Sequence, residues 1–329
     1  MLKKKTGQLH RGSVIIDGLN ASHLFDMTVL QHLLEGGITA INSTIAVWQG
    51  LHETMTIIAD YFHLFEEQID SILQVKTTSD IKEAKSTGRV GIILGFQGPA
   101  PIENNPHFLS LYYALGIRII QLTYNHKNQL GSGCIASEDK GLTLLGRDVI
   151  AQMNQLGMLI DLSHCGHRTT MDAIEASQRP VAFTHANPMT FAVHLRNKSD
   201  EALKALAEKG GVVGAATFPA MITERGSATL KDYIDVIDFL VDTIGIDHVG
   251  LGTDFMEALP SEIHAHALKG ISIEDREKLF SSMTLHGFEL ISKCRIVTKA
   301  LLGRGYATTE VKKIMGENWL RLYGEVWVS

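Results

Sequence analysis

The chain has 329 residues, of which 45% are apolar and 20% charged, and its formal net charge is −6. These values are typical of a globular protein with a large core, and the negative charge argues against a nucleic-acid partner. Three scattered cysteines are too few for a disulfide framework or a thiolate metal site, and they fit a reducing compartment. Since no apolar run approaches the length of about 18 residues needed to span a bilayer, we expect a cytoplasmic protein without membrane association.

Short apolar runs alternate with longer amphipathic stretches along most of the chain. The apolar runs predict eight strands: Val14–Leu19, Ile38–Ser43, Val90–Phe96, Ile117–Tyr124, Met158–His164, Val181–His185, Val212–Thr217 and His248–Asp254. Because continuous apolar strands that alternate with helices are typical of parallel sheets buried on both faces, the pattern predicts an α/β fold, a (β/α)8 barrel of the TIM type. A doubly wound open sheet is the alternative, but no G-x-G-x-x-G follows a predicted strand.

The stretches between the strands carry helix signals. In Ser199–Lys209 the serine can cap the helix N-terminus, two acidic residues suit the positive end of the helix dipole, and Gly210 ends the helix. Leu144–Leu156 and Thr229–Ile244 have the same apolar periodicity. These stretches supply helices of the kind that surround the strands of a barrel.

The C-terminal part of the chain departs from the alternation. After about residue 270 the pattern predicts further helices, Ile273–Leu302 and Thr308–Tyr323. We expect them to pack on the barrel as a helical appendage. Since the sequence contains no linker, internal repeat or low-complexity stretch, we interpret residues 1–329 as a single barrel domain.

Polar side chains stand at the ends of several predicted strands. They are Gln97, Tyr124, His164, His185 and Asp254. The carboxyl ends of parallel strands meet at one face of a barrel, and barrel enzymes carry their chemistry on that face. These five residues are therefore the candidate site residues.

The two histidines stand out because they end consecutive predicted strands. The strand period of two places His164 on the same face as Ile160 and Leu162. If those apolar residues fill the barrel, His164 lies at its mouth, and the same argument applies to His185. A histidine at a strand end is also commonly structural, and periodicity alone leaves both interpretations open.

A series of short motifs runs through the chain in a fixed order. They are Asp17-Gly18-x-Asn20, Gly131-x-Gly133-Cys134, Gly141-Leu142-Thr143, Gly146-Arg147, Ile160-Asp161-Leu162-Ser163-His164, Ser199-Asp200-Glu201, Gly210-Gly211-Val212-Val213-Gly214, Gly252-Thr253-Asp254-Phe255 and Gly316-Glu317-Asn318. With these motifs, from about Val14 to Trp327, the chain resembles the membrane dipeptidase (renal dipeptidase, peptidase M19) family of the amidohydrolase superfamily. The resemblance implies a (β/α)8 barrel that hydrolyses dipeptides with two bridged zinc ions.

The metal positions that the resemblance implies are only half present. The family holds its first ion with an H-x-D motif, and those positions are Leu19 and Ala21 here. A glutamate that bridges the two ions in the family corresponds to Gln97. The two histidines of the second ion correspond to His164 and His185. Neither Leu19 nor Ala21 has a side-chain atom that can bind a metal.

The resemblance also implies roles for residues around the metal. An aspartate that handles protons corresponds to Asp254, and an arginine that grips the substrate carboxylate corresponds to Arg196, followed by Asn197. The family's histidine that polarises the scissile carbonyl corresponds to Tyr124. We therefore expect Asp254 and Tyr124 to be catalytic, and Arg196 and Asn197 to bind substrate.

These expectations point to a metal-dependent hydrolase of a dipeptide, or of a small amide with a free carboxylate. His164, His185 and Gln97 would hold one zinc ion, while a site without metal is the other interpretation that the residues leave open. The alternatives to the hydrolase are a catalytically silent small-molecule-binding barrel and a repurposed enzyme that acts on another small carboxylate-containing metabolite. The resemblance further implies a homodimer.

Overall fold

The computed structural model describes residues 2–263 and 284–327 of the chain. Within these ranges, nine strands form one parallel sheet: β1 Ile16–Asn20, β2 Ala40–Ala46, β3 Ile72–Val75, β4 Val90–Phe96, β5 Ile117–Gln121, β6 Leu159–Asp161, β7 Ala182–Phe183, β8 Val212–Ala215 and β9 Val249–Leu251. Each is rich in the β-branched and aliphatic residues that suit a strand covered on both faces.

Eight of these strands close into a ring. β1 pairs with both β2 and β9, β2 pairs with β4, and β4 to β9 pair in sequence. The predicted (β/α)8 barrel is confirmed, and the eight predicted strands are the eight strands of the ring. The ninth, β3, pairs with Val90–Ile93 beside the ring, and the rest of β4 pairs with β5 on that side. The sequence pattern does not predict β3, whose apolar run is interrupted by Gln74.

Helices follow most strands and surround the ring. In the described ranges they are α1 Leu2–Gly12, α2 Met27–Glu35, α3 Leu51–Glu67, α4 Thr78–Thr87, α5 Phe108–Leu115, α6 Leu144–Leu156, α7 His167–Ala176, α8 Asp200–Glu208, α9 Leu230–Ile244, α10 Arg295–Arg304, α11 Thr308–Lys312 and α12 Asn318–Val326. The predicted cap of α8 is confirmed, because Ser199 Oγ accepts a hydrogen bond from the backbone N–H of Ala202 at 3.2 Å. Among the described helices, none is long and apolar enough to cross a membrane.

The predicted helix Ile273–Leu302 is only partly right. Its residues 273–283 lie outside the described ranges. From residue 284 the chain forms a turn and a short 3₁₀ segment, and α10 begins only at Arg295. The side chains of Leu285 and Phe288 are fully buried in the core, so this stretch is held by packing in an irregular conformation instead of a helix.

The predicted helix Thr308–Tyr323 is interrupted. Residues Lys313–Glu317 form a π-turn between α11 and α12, and Gly316 there has an extended φ of 175°. A Cβ atom on Gly316 would lie 2.6 Å from the carbonyl oxygen of Val14. The interruption therefore lets the C-terminal helices approach the backbone at the start of β1.

Helix α12 closes the bottom of the barrel. The ring of Trp319 lies so close to Gly18 and Gly250 that a Cβ atom at either glycine would overlap it, and its indole N–H donates to the carbonyl oxygen of Leu251 at 2.9 Å. The C-terminal region is therefore part of the barrel core and not only an appendage on its outside.

The strand residues divide between two core clusters. Leu159 and Ala182 pack with Trp319 inside the barrel, whereas Ile160 and Leu162 belong to the larger cluster shared with the surrounding helices. The condition that Ile160 and Leu162 fill the barrel is therefore not met. A strand that is apolar on both faces has no polar face to reveal which side points inward.

Candidate active site

The two candidate histidines lie on loops just beyond the strands. β6 ends at Asp161 and β7 at Phe183, so the predicted strands were too long at their C-terminal ends. The carboxylate of Asp161 accepts hydrogen bonds from the backbone N–H groups of Ser163 and Thr184, at 3.0 and 3.1 Å. Because a side chain takes these N–H groups in place of a neighbouring strand, the backbone is free to turn His164 toward the barrel mouth.

The imidazole rings of His164 and His185 meet there. Their Nε2 atoms are 2.9 Å apart, and both residues are buried. The Nδ1 atom of His164 is 2.7 Å from the amide oxygen of Asn125. The Nδ1 atom of His185 is 2.8 Å from the hydroxyl of Thr184, which itself donates to Asp161 at 2.6 Å. Each ring is therefore held in place through its other nitrogen.

These partners fix the protonation of both rings. Because the Thr184 hydroxyl hydrogen is used in the bond to Asp161, its oxygen accepts from Nδ1–H of His185, and the Asn125 oxygen accepts in the same way from His164. Burial, with the Arg196 charge, holds the pKa of both histidines well below the usual range, so they are neutral. Two Nε2 atoms without hydrogen then lie 2.9 Å apart, somewhat closer than the roughly 3.3 Å that separates two such ligands of one tetrahedral zinc. The pair fits a single metal ion.

The remaining metal positions fit less well. Gln97 follows β4 and lines the same cavity, with its amide N–H donating to the Thr44 hydroxyl at 2.8 Å, which leaves a neutral carbonyl oxygen as a ligand. Leu19 is buried and Ala21 contributes only a methyl group to the cavity. Among the residues that the structure describes, there is no cluster of three or more His, Cys, Asp or Glu side chains that could hold an ion. The donor set fits one ion on two imidazoles and does not fit a two-ion centre.

The retained half of the first motif has a structural role. The carboxylate of Asp17 accepts hydrogen bonds from the backbone N–H of Thr253 at 2.7 Å, from the Thr253 hydroxyl, and from the Asn20 amide at 3.1 Å. Burial raises the pKa of Asp17 to about 6. These bonds tie β1 to Thr253, which follows β9. Asp17 therefore has a structural role that does not depend on a bound metal.

Asp254 stands in the cavity wall after β9. It adopts a left-handed φ of 58°, unusual for a residue other than glycine, and its N–H donates to the carbonyl oxygen of Leu19 at 3.1 Å. Desolvation raises the pKa of Asp254 to about 7, and the Arg196 charge opposes that rise. A carboxyl group with this pKa can both take and return a proton at neutral pH.

Tyr124 covers the face of one histidine. Its ring stacks on His164 with the ring centres 4.3 Å apart and an angle of 27° between the planes. Burial raises the pKa of Tyr124 to about 12, so the phenol stays protonated and can donate a hydrogen bond into the cavity that it lines.

Arg196 lines the cavity from the loop after β7. Its Nε atom donates to the carbonyl oxygen of Ser163 at 3.3 Å and its Nη2 atom to that of His185 at 3.0 Å. The guanidinium is therefore anchored to the same loops that carry the histidines. A fixed guanidinium in a cavity wall can bind a substrate carboxylate.

Asn197 lies beside Arg196 and has a different environment. Its amide nitrogen donates to the carbonyl oxygens of Ala192 and Met221, both at 2.9 Å. These bonds hold the loop that carries Arg196 in place, and they occupy the amide nitrogen of Asn197. The structure thus places five of the predicted residues in the lining of one cavity: Gln97, Tyr124, His164, Arg196 and Asp254. His185 is fully buried and contacts His164, and Asn197 is bonded to nearby backbone.

Sequence reasoning missed several residues of this site. Asn125 and the pair Thr184 and Asp161 orient the histidines, and His194 lines the cavity near Arg196. Thr184 could have been found from its position directly before His185, because ligand histidines are commonly held by a partner at their other nitrogen. Asn125 has no such signal, since its role depends on a left-handed φ of 57° in a loop.

Comparison with known proteins agrees with the fold and the motifs. The model of the membrane dipeptidase family (peptidase family M19) matches residues 13–267. An amidohydrolase from Pseudomonas aeruginosa is 33% identical, with a TM-score of 0.91 over 98% of this chain and 99% of that one. A metallopeptidase from Rhodobacter sphaeroides, liganded with a phosphinate mimic of the dipeptide L-Ala-D-Ala, has the same fold at 19% identity, with a TM-score of 0.80 over 96% of this chain and all of that one.

Fungal dipeptidases are also similar in sequence. Dipeptidase tcpJ of Claviceps purpurea is 29% identical over 80% of this chain and 57% of its own length. Dipeptidase verJ of Clonostachys rogersoniana is 29% identical over 85% of this chain and 67% of its own length. The chain thus spans little more than half of the first of these relatives. The family model covers most of the chain, and the resemblance drawn from the motifs is confirmed: the chain belongs to the membrane dipeptidase family, peptidase family M19.

Proposed function

We propose that the protein is a hydrolase that cleaves the amide bond of a dipeptide, or of a small amide with a free carboxylate, with the help of one metal ion. The observation that carries this proposal is the pair of neutral imidazoles whose Nε2 atoms converge at 2.9 Å. Asp254 and Arg196 line the same cavity as His164, which has a volume of about 710 Å³, enough for a molecule of dipeptide size. Membership of a dipeptidase family supports the same reaction class.

The metal would be held by His164 and His185, with Gln97 as a neutral third ligand. Imidazole ligands favour zinc over magnesium. A zinc ion in such a site supplies Lewis acidity toward a carbonyl oxygen and lowers the pKa of water. Ala21 and Gln97 stand where the family's two-ion centre has an aspartate and a glutamate. With these two carboxylate ligands missing, the residues fit a single ion.

The other steps belong to side chains of the chain itself. Arg196 binds the substrate carboxylate and fixes the position of the amide. Asp254 takes a proton from the attacking water and returns it to the nitrogen of the leaving amine, a role that its pKa near 7 suits. Tyr124 donates a hydrogen bond to the oxyanion that develops at the carbonyl, an interaction worth about 3 kcal/mol in comparable sites.

A catalytically silent binding protein is the second candidate. The replacement of both first-ion ligands by Leu19 and Ala21 favours it, because these side chains remove metal chemistry and leave the cavity and Arg196 intact. In that case Arg196 would still bind small carboxylates. A repurposed enzyme of related chemistry would use the same groups. A homodimer remains a prediction, which light scattering of the purified protein would test.

The decisive experiment is a turnover assay on a panel of L–L and L–D dipeptides and N-acyl amino acids, before and after removal and return of zinc. The proposal predicts hydrolysis that a chelator abolishes and zinc restores, and that Asp254→Asn lowers by roughly a hundredfold or more while the variant stays folded. Carboxylate binding without turnover under every metal condition would instead identify a binding protein. Turnover that survives both His164→Ala and Asp254→Asn would show that the assigned residues are wrong.

A further inference from the structure

The cavity extends well beyond the histidines. In the ring order β1-β2-β4-β5-β6-β7-β8-β9, strands β2 and β7 stand four places apart and so lie opposite each other. The loop after β7 carries Arg196, and the chain after β2 leads into α3. Both line the cavity. A molecule whose carboxylate lies on Arg196 therefore crosses the barrel mouth toward α3.

The wall on the α3 side is largely apolar. Ile57, Tyr61 and Leu64 follow one another at spacings of four and three residues, so they share one face of α3 and line the cavity together. Phe25 packs edge-on against Tyr61, with the ring centres 5.1 Å apart, and Trp48 lines the cavity beside them. We call these five residues the apolar arm.

The apolar arm is continuous with the reacting centre. The ring of Trp48 lies 6.0 Å from that of Tyr124, which itself stacks on His164. The hydroxyl of Tyr61 is bonded to Ser43 at 2.8 Å, so Tyr61 presents its ring to the cavity while its polar atom is already satisfied. A group attached to the carbonyl under attack would enter the arm directly.

The charges near the arm argue against a free amino group on this part of the substrate. Ala21 contributes only an uncharged methyl group to the cavity. Asp254 is opposed by Arg196 and is assigned to proton transfer. Asp60 and Glu67 also line the cavity, but both side chains are exposed on α3, where water and salt screen their charges. Burying an ammonium group in the arm without a partner would be costly.

Resting on the proposed function, we propose that the substrates are N-acyl amino acids whose acyl group is bulky and apolar, either aromatic or branched. The carboxylate binds Arg196 and the acyl group fills the apolar arm. Water adds to the amide carbonyl carbon, the C–N bond breaks, and the proton from water passes through Asp254 to the amine nitrogen. The products are an apolar carboxylic acid and a free amino acid.

The test uses three compounds: N-(3-phenylpropanoyl)-alanine, N-acetyl-alanine and phenylalanyl-alanine, with alanine supplied as both enantiomers. The first and third differ only by the amino group. We would measure kcat/KM with the zinc-loaded protein and Kd by calorimetry with the Asp254→Asn variant. The phenylpropanoyl compound should exceed the acetyl compound by about tenfold to a hundredfold in both, and should at least equal the dipeptide.

A pair of variants on α3 locates the effect. Ile57→Asp places a charge in the arm and should remove the preference for the phenylpropanoyl compound while leaving the acetyl compound within about threefold of its original Kd. Met55→Asp is the matched control, since Met55 is 40% exposed and lies about 200° around the same helix. The control should keep the preference, and thermal unfolding of both variants checks that they fold.

The possible outcomes separate the two proposals. Tenfold preference for phenylalanyl-alanine over the phenylpropanoyl compound would overturn the N-acyl assignment and leave a dipeptidase. Equal binding of the acetyl and phenylpropanoyl compounds, or no binding of any of the three, would also overturn it. The expected order of Kd values without turnover in any metal condition would support the subsite and refute the hydrolase.

Discussion

The two halves of the barrel mouth differ in how their polar groups are used. On the side of β6 and β7, His164 and His185 are oriented by Asn125 and by Thr184 with Asp161, so the Nδ1 atom of each ring has a partner. On the side of β1 and β2, Leu19 and Ala21 are apolar, and of the two only Ala21 lines the cavity. The hydrogen bonds of Asp17 to Thr253 and Asn20 are present beside these apolar residues, so they do not depend on metal ligands at positions 19 and 21.

The largest expected effect comes from the histidine side. His185→Ala removes one of the two converging imidazoles, so the protein should no longer retain zinc, and turnover should fall by roughly a thousandfold. Metal content by mass spectrometry and a turnover assay check this. His126→Ala is the control, because His126 is exposed on the loop after Tyr124. Normal zinc content in His185→Ala would show that the side of β6 and β7 does not hold the metal through His185.

Asp254 should have the next largest effect and a signature in pH. Because its pKa is raised to about 7, the base form needed to accept a proton is gained as pH rises through 7, and activity should rise with it. Asp254→Asn should lower kcat by roughly a hundredfold to a thousandfold and abolish that limb of the pH profile. Its zinc content should be unchanged. A profile that keeps the limb in the variant would assign the base to another group.

Asp17→Asn tests whether the first motif now serves the fold. The variant places an amide N–H₂ where the carboxylate accepts from Thr253 and Asn20, so the free energy of unfolding should fall by about 1–3 kcal/mol while zinc content stays the same. Urea unfolding measures the change, with the exposed Asp60→Asn as a control. If Asp17→Asn lost zinc while its free energy of unfolding stayed unchanged, Asp17 would be needed for metal binding and not for the fold.

The same carboxyl group predicts a dependence of stability on pH. Its pKa is about 6 in the folded protein, above the value near 3.8 expected in the unfolded chain. Between these values the folded state holds a proton that the unfolded state has released, so this group makes stability fall as pH rises, by up to about 1.4 kcal/mol per pH unit. Asp17→Asn should lack that contribution when unfolding is compared between pH 4 and pH 7, and an unchanged difference would contradict it.

The smallest expected effect comes from the boundary between the halves. Gln97→Glu replaces a neutral oxygen ligand with a charged one, so zinc affinity should rise by about tenfold. Chelator competition measures the Kd. If Gln97→Glu and wild type bind zinc equally, Gln97 does not contact the ion and the site rests on the two histidines alone.

The fold was largely predictable from the sequence because its signals are local. Apolar runs identified the eight ring strands, and Ser199 identified the start of α8. The insertion of Trp319 into the barrel bottom depends on contacts between the two ends of the chain, so no local pattern could show it. The strand ends before His164 were missed because the side chain of Asp161 ends the strand pairing there.

The site was predictable only as a set of positions. The motifs predicted His164, His185, Arg196 and Asp254, but the close approach of the two Nε2 atoms depends on Asn125 and on contacts across loops. The motif also could not show that the Asn197 amide nitrogen is bonded to two backbone carbonyl oxygens. Distances between side chains on separate loops are set by tertiary packing, which sequence spacing does not contain.

The most direct test of this account is the number of metal ions that the protein holds. The purified chain would be stripped with a chelator, loaded with excess zinc, passed over a desalting column and analysed by mass spectrometry. The two converging histidines predict one zinc per chain in the wild type and none in His164→Ala. Two zinc ions per chain, or none in the wild type after loading, would contradict the central claim that half of the metal centre persists.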